Sequence, residues 1–266
     1  MKYQNFKNVK LFAKKSLKIL AIIILAIIAI IVLCAIFVVI TMKSREFPQK
    51  QTNYEAFSKD LETGDLLLYQ TYEVSTEMVS YFTPCTYTHI SIILKRPTWL
   101  DPTLTDDYYI LESVIDNIKG DISHSASKDI KVVSLHYVYD NYTMNQLGHL
   151  YVRKLHAEIP IHKIHERVKK AHDVIKNDTY DTNADDWTNA LTKMDSKVSS
   201  LNLVYQYHNR KTMWCSALVA YVYKECGFLS PNIPWTIINP CDFGAHTDKQ
   251  NLKFINCTLD DEELRL

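Results

Sequence analysis

Cys215 is the residue whose type and position first suggest chemistry. It lies near the start of MWCSALVAYVYKECGFL, residues 213–229, a stretch predicted to form a helix. The first turn of a helix leaves backbone N–H groups unpaired and carries the positive end of the helix dipole, so it favours an anion. In such positions the pKa of a cysteine falls from about 8.5 to as low as roughly 3.5. Cys215 is therefore a candidate nucleophile, with a small buried apolar residue as the plain alternative.

A nucleophilic thiol needs a base, and the sequence offers His89 at the start of the apolar run THISIIL. Glu112 is the single acid within the apolar run YYILESVI, and it could orient that imidazole. A thiol, a base and an orienting carboxylate are the groups that covalent thiol catalysis uses. The alternatives are that His89 is an ordinary core or edge residue and that Glu112 points to solvent.

Three further histidines share a stretch rich in lysine, arginine and glutamate, and all three are predicted to lie on the solvated face of a helix: His162, His165 and His172. The first two are three residues apart and could in principle bind a metal. No cysteine or acidic pair of suitable spacing accompanies them. No metal and no cofactor is therefore predicted.

The elements that would position these residues follow from hydrophobic spacing. Alternating or continuous apolar runs predict short strands, and a spacing of three to four residues predicts helices. Strands are predicted within 63–70, 88–94, 107–115, 128–135 and 148–155, and helices within 75–82, 159–176 and 213–229, the last ending at Gly227. Residues 177–212 are polar and irregular, which favours a surface loop over a lid. This order predicts an α+β fold with a small, mostly antiparallel sheet packed with helices.

An apolar segment precedes these elements. Residues 19–40 contain no charge over 22 positions, enough for a helix to cross a bilayer core of about 30 Å. A secretory signal has a shorter apolar region, of about 7 to 15 residues, and a buried globular helix would show a polar face. The predicted organisation is a basic segment 1–18, one transmembrane helix 19–41, a linker 42–60 and a catalytic domain 61–266.

The charges that flank the apolar segment predict its orientation. Six lysines precede it, whereas Lys43, Arg45 and Lys50 follow it, which favours a cytosolic N-terminus and a domain on the opposite side. Three N-x-Thr sequons, at Asn141, Asn177 and Asn256, would then be open to glycosylation. Five cysteines lie outside the segment, so at least one thiol would stay free even in an oxidising compartment.

The overall charge excludes one class of partner. Acidic and basic residues balance at 30 each, which gives a formal net charge of zero. The chain has no basic stripe of the kind that nucleic-acid binding requires. Nucleic acid is therefore not an expected partner, and the bilayer is.

Five short motifs in this order resemble a known family: TGDLLLY, THISIIL, YILESV, the Tyr180-Asp181 pair and WCSALVAYVY. They are similar to the circularly permuted papain-fold thiol hydrolases of the NlpC type, in the YiiX-like branch that includes a poxvirus relative, and more distantly to lecithin:retinol acyltransferases. The resemblance implies Cys215 as nucleophile, His89 as general base and Glu112 as orienting acid. It assigns Gly64 and Asp65 to a structural turn. Ala217 departs from the family pattern, which often has glutamate there, and this weakens any transfer of the bacterial substrate class.

The function expected from these residues is a membrane-anchored, cysteine-dependent amidase, hydrolase or acyltransferase that works through a thioester. Acyl lipids are the preferred substrates, because a tethered domain meets them at high effective concentration. The alternatives are a peptide or cell-wall amidase and a catalytically inactive binding module on the same fold. A disulfide from Cys215 to Cys226, Cys241 or Cys257 would also remove the nucleophile.

Overall fold

The structure is a computed structural model that describes residues 18–36 except 21 and 35, 52–71, 86–114, 121–123, 129–181, 212–245 and 252–266. The chain divides into two compact units, Met1–Phe47 and Pro48–Leu266. In the first unit, the described residues of the predicted anchor are helical, and residues 37–41 lie outside the description. In the part of the chain that the structure describes, no helix has both the length and the hydropathy needed to cross a membrane.

The second unit is built on an antiparallel sheet. Its strands are β1 Leu66–Thr71, β2 His89–Lys95, β3 Tyr108–Ser113, β4 Ile130–Ser134, β5 Gly148–Arg153, β6 Leu155–Ala157, β7 Cys257–Leu259 and β8 Glu263–Leu264. Among the described residues, six of them form one sheet in the order β4-β3-β2-β1-β5-β8, and β6 pairs separately with β7. Every pairing is antiparallel, and β1 to β5 each overlap a predicted strand. The predicted α+β class with a mostly antiparallel sheet is confirmed.

Helices cover both faces of this sheet. They are α1 Tyr54–Phe57, α2 Leu135–Asn145, α3 Ile161–Ile175 and α4 Cys215–Glu225, followed by two 3-10 turns, Trp235–Ile237 and Pro240–Phe243. The ranges of α3 and α4 fall within the two helices predicted for this part of the chain. Gly227, with φ +79°, lies just beyond the end of α4, as predicted.

Alternation along each strand divides the core into two parts. On β1, Leu66 and Leu68 point to the face covered by α3 and α4, whereas Leu67 and Tyr69 point to the face covered by α1 and α2. Both faces are apolar, so the strands read as nearly continuous hydrophobic runs. The sheet is therefore the buried middle layer of the unit.

Helix α2 was not predicted. The apolar spacing within 128–135 predicts a strand through Leu135, whereas the helix begins at that residue. Ser134 caps it, because its hydroxyl accepts the backbone N–H groups of His136 and Tyr137. The serine cap and the spacing of the buried positions Leu135, Val138, Tyr139 and Tyr142 were the signals in the sequence that could have revealed it.

The predicted linker extends too far into the domain. It was expected to cover 42–60, but residues 54–57 form α1, and Phe57 is fully buried against α2 and the sheet. The side chain of Asn53 caps the helix by accepting the N–H of Ala56. The ordered domain therefore begins before residue 61.

Two predicted segments lie wholly or partly outside the residues that the structure describes. The helix predicted at 75–82 lies outside the described residues, and so do residues 182–211 of the irregular middle. Just before and after the latter stretch, Thr179 and Thr212 form a short parallel bridge. This bridge brings the end of α3 close to the start of α4.

His172 was predicted on the solvated face of α3, and this prediction is wrong. Its side chain is 1% exposed, because position 172 adjoins the buried stripe of Val168, Ala171 and Ile175. The ring packs edge to face on Trp99, with 5.2 Å between ring centroids, and neither ring nitrogen has a hydrogen-bond partner among the described residues. Burial lowers the pKa of His172 to about 4.

Folding stability should therefore fall as the pH drops from about 6.5 toward 4, because the unfolded chain binds a proton that the folded imidazole does not. For a shift of this size we expect a loss of about 1–2 kcal/mol between pH 8 and pH 5.5. Denaturant unfolding of full-length protein at both pH values measures it. His172→Leu should remove this component, whereas His162→Leu, on the exposed side of the same helix, should keep it. Equal pH dependence in the wild type and His172→Leu would contradict the prediction.

Candidate active site

Cys215 is the first residue of α4, and its surroundings hold the start of that helix in place. The side chain is buried, with 6% exposed. On either side of it, the Trp214 indole N–H and the Ser216 hydroxyl both donate to the carbonyl oxygen of Ile238, at 2.9 and 2.7 Å. These two hydrogen bonds to one oxygen come from the residues before and after Cys215 in the chain. They fix the orientation of the first turn of the helix.

The residue two positions before the thiol is also anchored. The Met213 N–H donates to the carbonyl of Thr179 at 2.9 Å, and the Met213 carbonyl accepts the hydroxyl of Ser113 at 2.7 Å. Ser113 is the last residue of β3 and is fully buried. The approach to α4 is thereby tied to the sheet.

His89 and Glu112 come together because β2 and β3 are antiparallel neighbours. The register pairs Ile92 with Leu111, which places His89, the first residue of β2, diagonally across from Glu112. The His89 Nε2 atom lies 2.8 Å from Glu112 Oε2, and the two side chains are 21% and 5% exposed. Glu112 therefore points to the imidazole rather than to solvent.

The thiol of Cys215 interacts with the same imidazole. Burial opposes ionisation of the thiol, but the charge of His89 and a hydrogen bond from it, together with the N–H groups of Ile90 and Ser216, lower the pKa of Cys215 below its ordinary value. Burial likewise opposes protonation of the ring, but Cys215 and then Glu112 outweigh it and raise the pKa of His89 to about 10. Because Nε2 faces Glu112, Nδ1 is the ring nitrogen left for the thiol.

Two tyrosines flank this pair. Tyr69, opposite His89 in the pairing of β1 with β2, packs its ring edge to face on the imidazole at 4.8 Å between centroids. Its hydroxyl is 2.9 Å from that of Ser91. Tyr180 is partly buried, and burial followed by the charges of Cys215 and Asp181 raises its pKa. The sequence pattern predicts no role for Tyr69, and Tyr180 is predicted only as part of the Tyr180-Asp181 motif.

Gly64 and Asp65 form a structural turn before β1. Gly64 has φ +103°, and its carbonyl accepts the hydroxyl of Tyr223 from α4 at 2.6 Å. The Asp65 carboxyl accepts the N–H groups of Leu155 and Glu62. Burial raises the pKa of Asp65. Both residues hold backbone segments together and lie apart from the thiol and imidazole contacts.

The state of the cysteines tests whether Cys215 forms a disulfide. Cys215, Cys226 and Cys257 are free thiols, and Cys241 is disulfide-bonded. The proposal that Cys215 is lost to a disulfide is therefore wrong for this structure. In the described ranges no group of three histidine, cysteine or acidic side chains could hold a metal ion.

The comparisons with known proteins yield a structural likeness and no match in sequence. No protein-family model and no curated protein matches the sequence. Among solved structures, the chain is similar to the crystal structure of metalloprotein YiiX from Escherichia coli O157:H7, at 14% sequence identity and a TM-score of 0.37. The alignment covers 62% of this chain and 66%, just under two thirds, of that one. At this level the likeness assigns neither a family nor an activity.

The geometry predicts an unusual reactivity of Cys215. Its thiolate should persist below the ordinary pKa of a cysteine and stay paired with the imidazolium until His89 deprotonates near pH 10. Alkylation by iodoacetamide, followed peptide by peptide with mass spectrometry, should therefore be fast at pH 7. Cys226 and Cys257 are internal controls, because burial raises their pKa values to about 12 and 11. An alkylation midpoint near 8.5 for Cys215, or one unchanged in His89→Ala, would contradict the pairing.

Proposed function

We propose that the chain is a membrane-anchored, cysteine-dependent hydrolase or acyltransferase with a circularly permuted papain-like fold. The observation that carries the proposal is the contact of one imidazole with two partners. His89 meets Glu112 through Nε2 at 2.8 Å and interacts with the thiol of Cys215, whose pKa is lowered. The chain order, with the histidine strand before the cysteine helix, agrees with the permuted family that the motifs resemble.

The reaction begins with attack of the Cys215 thiolate on a substrate carbonyl carbon. The carbon–sulfur bond forms as the carbonyl π electrons move to oxygen. The N–H of Cys215 belongs to the first turn of α4, where backbone donors have no partner within the helix, and it stabilises this oxyanion. The hydrogen bonds from Trp214 and Ser216 to the carbonyl of Ile238 keep that turn in a fixed orientation while the negative charge develops on the oxygen.

The tetrahedral intermediate then collapses. The imidazolium of His89 donates its proton from Nδ1 to the leaving amine or alcohol, and the bond from the carbonyl carbon to that group breaks. A thioester on Cys215 remains. Water or another acceptor loses a proton to the same nitrogen, attacks the thioester, and releases the acyl product with the thiolate restored. Glu112 keeps the ring oriented through both halves.

Acyl lipids are the substrate class that the proposal prefers. A domain tethered by residues 19–41 meets lipid at high effective concentration. The partly buried ring of Tyr180 lies near enough to Cys215 for the thiol's charge to help raise its pKa, and an aromatic surface at that position suits an acyl chain. Ala217 is buried in the core next to the helix start, so the glutamate of bacterial relatives has no counterpart here.

The inactive binding module is the weaker reading. A module without turnover has no need of a buried thiol with a lowered pKa, an imidazole with a raised one, and a carboxylate in contact with that ring. Perturbed titration of several groups in one place is typical of catalytic sites. The arrangement of Cys215, His89 and Glu112 therefore favours a catalytic role over binding alone.

The test of activity uses full-length protein in detergent with two substrate panels, acyl lipids and peptide amides. We expect turnover of the lipids and a hydroxylamine-sensitive acyl adduct on the Cys215 peptide. Cys215→Ala and Cys215→Ser should lose activity by roughly a thousandfold or more. Cys226→Ala, which removes a buried thiol at the other end of α4, is the matched control and should retain it. Turnover in Cys215→Ala would overturn the proposal, and turnover of peptide amides alone would favour the amidase alternative.

The test of anchoring uses cell membranes. Full-length protein should resist alkaline carbonate extraction, whereas Ile24→Arg with Ile28→Arg should be released, because each central charge costs about 2.5–3.5 kcal/mol. The three sequon asparagines are exposed, so a translocated domain should carry glycosidase-sensitive sugars. The disulfide at Cys241 supports an oxidising compartment. Release of the wild type would contradict anchoring, and a retained but unglycosylated protein would contradict the orientation alone.

A further inference from the structure

The end of strand β3 touches both halves of the candidate active site. Successive side chains of a strand point to opposite faces. Glu112 lies on the same face as Ile110 and contacts His89, whereas Ser113 lies on the face of Leu111, which packs with α4. One strand thus holds the base through one residue and the segment before the nucleophile through the next.

The contact made by Ser113 is specific. Its side chain is fully buried, and its hydroxyl donates to the carbonyl of Met213 at 2.7 Å. Met213 is itself 2% exposed and lies two residues before Cys215. The Met213 N–H donates to the carbonyl of Thr179, and the Trp214 indole N–H donates to that of Ile238. Ser113 is a direct link between this segment and the strand that orients His89.

We infer that Ser113 is a positioning residue, which sets the distance between the Cys215 sulfur and the His89 ring by fixing the Met213 carbonyl to β3. The inference rests on the proposed function, because it assigns a role within that same site. Coulombic attraction in a buried pair changes steeply with separation. A small shift of the helix start would therefore weaken the thiolate and imidazolium without removing either residue.

The experiment compares Ser113→Ala with the wild type, as full-length protein in detergent, by the pH profile of iodoacetamide alkylation at Cys215. Loss of one buried hydrogen bond should move the alkylation midpoint upward and slow the reaction at pH 6 by roughly threefold to tenfold. Ser58→Ala is the matched control. Ser58 is also a buried serine that donates to a backbone carbonyl, that of Tyr54 at 2.8 Å, and it lies in the α1 region.

Ser58→Ala should lower thermal stability to a similar degree and leave the alkylation midpoint unchanged. Ser113→Thr and Ser113→Val form a second, isosteric pair in which only threonine keeps the hydroxyl, so threonine should follow the wild type and valine should follow alanine. The inference is overturned if the Ala or Val variant keeps the wild-type midpoint. A wild-type midpoint near 8.5 would instead overturn the proposed function, and the role of Ser113 with it.

Discussion

Antiparallel pairing of β2 with β3 is the constraint on which the candidate site depends, because it alone brings His89 and Glu112 into contact. The register that sets Ile92 opposite Leu111 is fixed by apolar side chains on both faces of the sheet. A slip of one residue would move every side chain of a strand to the opposite face, which would mismatch the packed side chains on both faces and carry Glu112 away from the face of His89. The 2.8 Å contact is thus secured by the packing of residues that take no part in chemistry.

Three free thiols in the described part of the domain show how local charge decides ionisation. Cys215, Cys226 and Cys257 all experience burial, which favours the neutral form. Only at Cys215 do a neighbouring imidazolium and backbone N–H donors outweigh it. Arg167 acts on Cys226 in the same sense, but burial prevails there and the pKa rises to about 12. An adjacent cation is therefore not sufficient, and the N–H groups of Ile90 in β2 and Ser216 in α4 supply the additional donors.

The sequence predicted the parts of this molecule that depend on local pattern. Strands β1 to β5 and the ranges of α3 and α4 followed from apolar spacing, and His89, Glu112 and Cys215 were named from their positions within those elements. Their catalytic role stays a prediction. The prediction that His172 is exposed was wrong because its neighbours in the sequence are charged, although its position in α3 adjoins the buried residues. Ser113 and the carbonyl of Ile238 could not be foreseen, because their roles come from contacts between segments distant in the chain.

Engagement of Nε2 by Glu112 has a consequence for the order of events in the proposed reaction. The ring can exchange protons only through its remaining nitrogen, on the side of the sulfur. In the proposed reaction the leaving group and the acceptor therefore exchange protons with the same nitrogen, one after the other. With the thioester between the two transfers, this order gives ping-pong kinetics, and the choice between water and another acceptor depends on which of them lies beside Nδ1 once the first product has left.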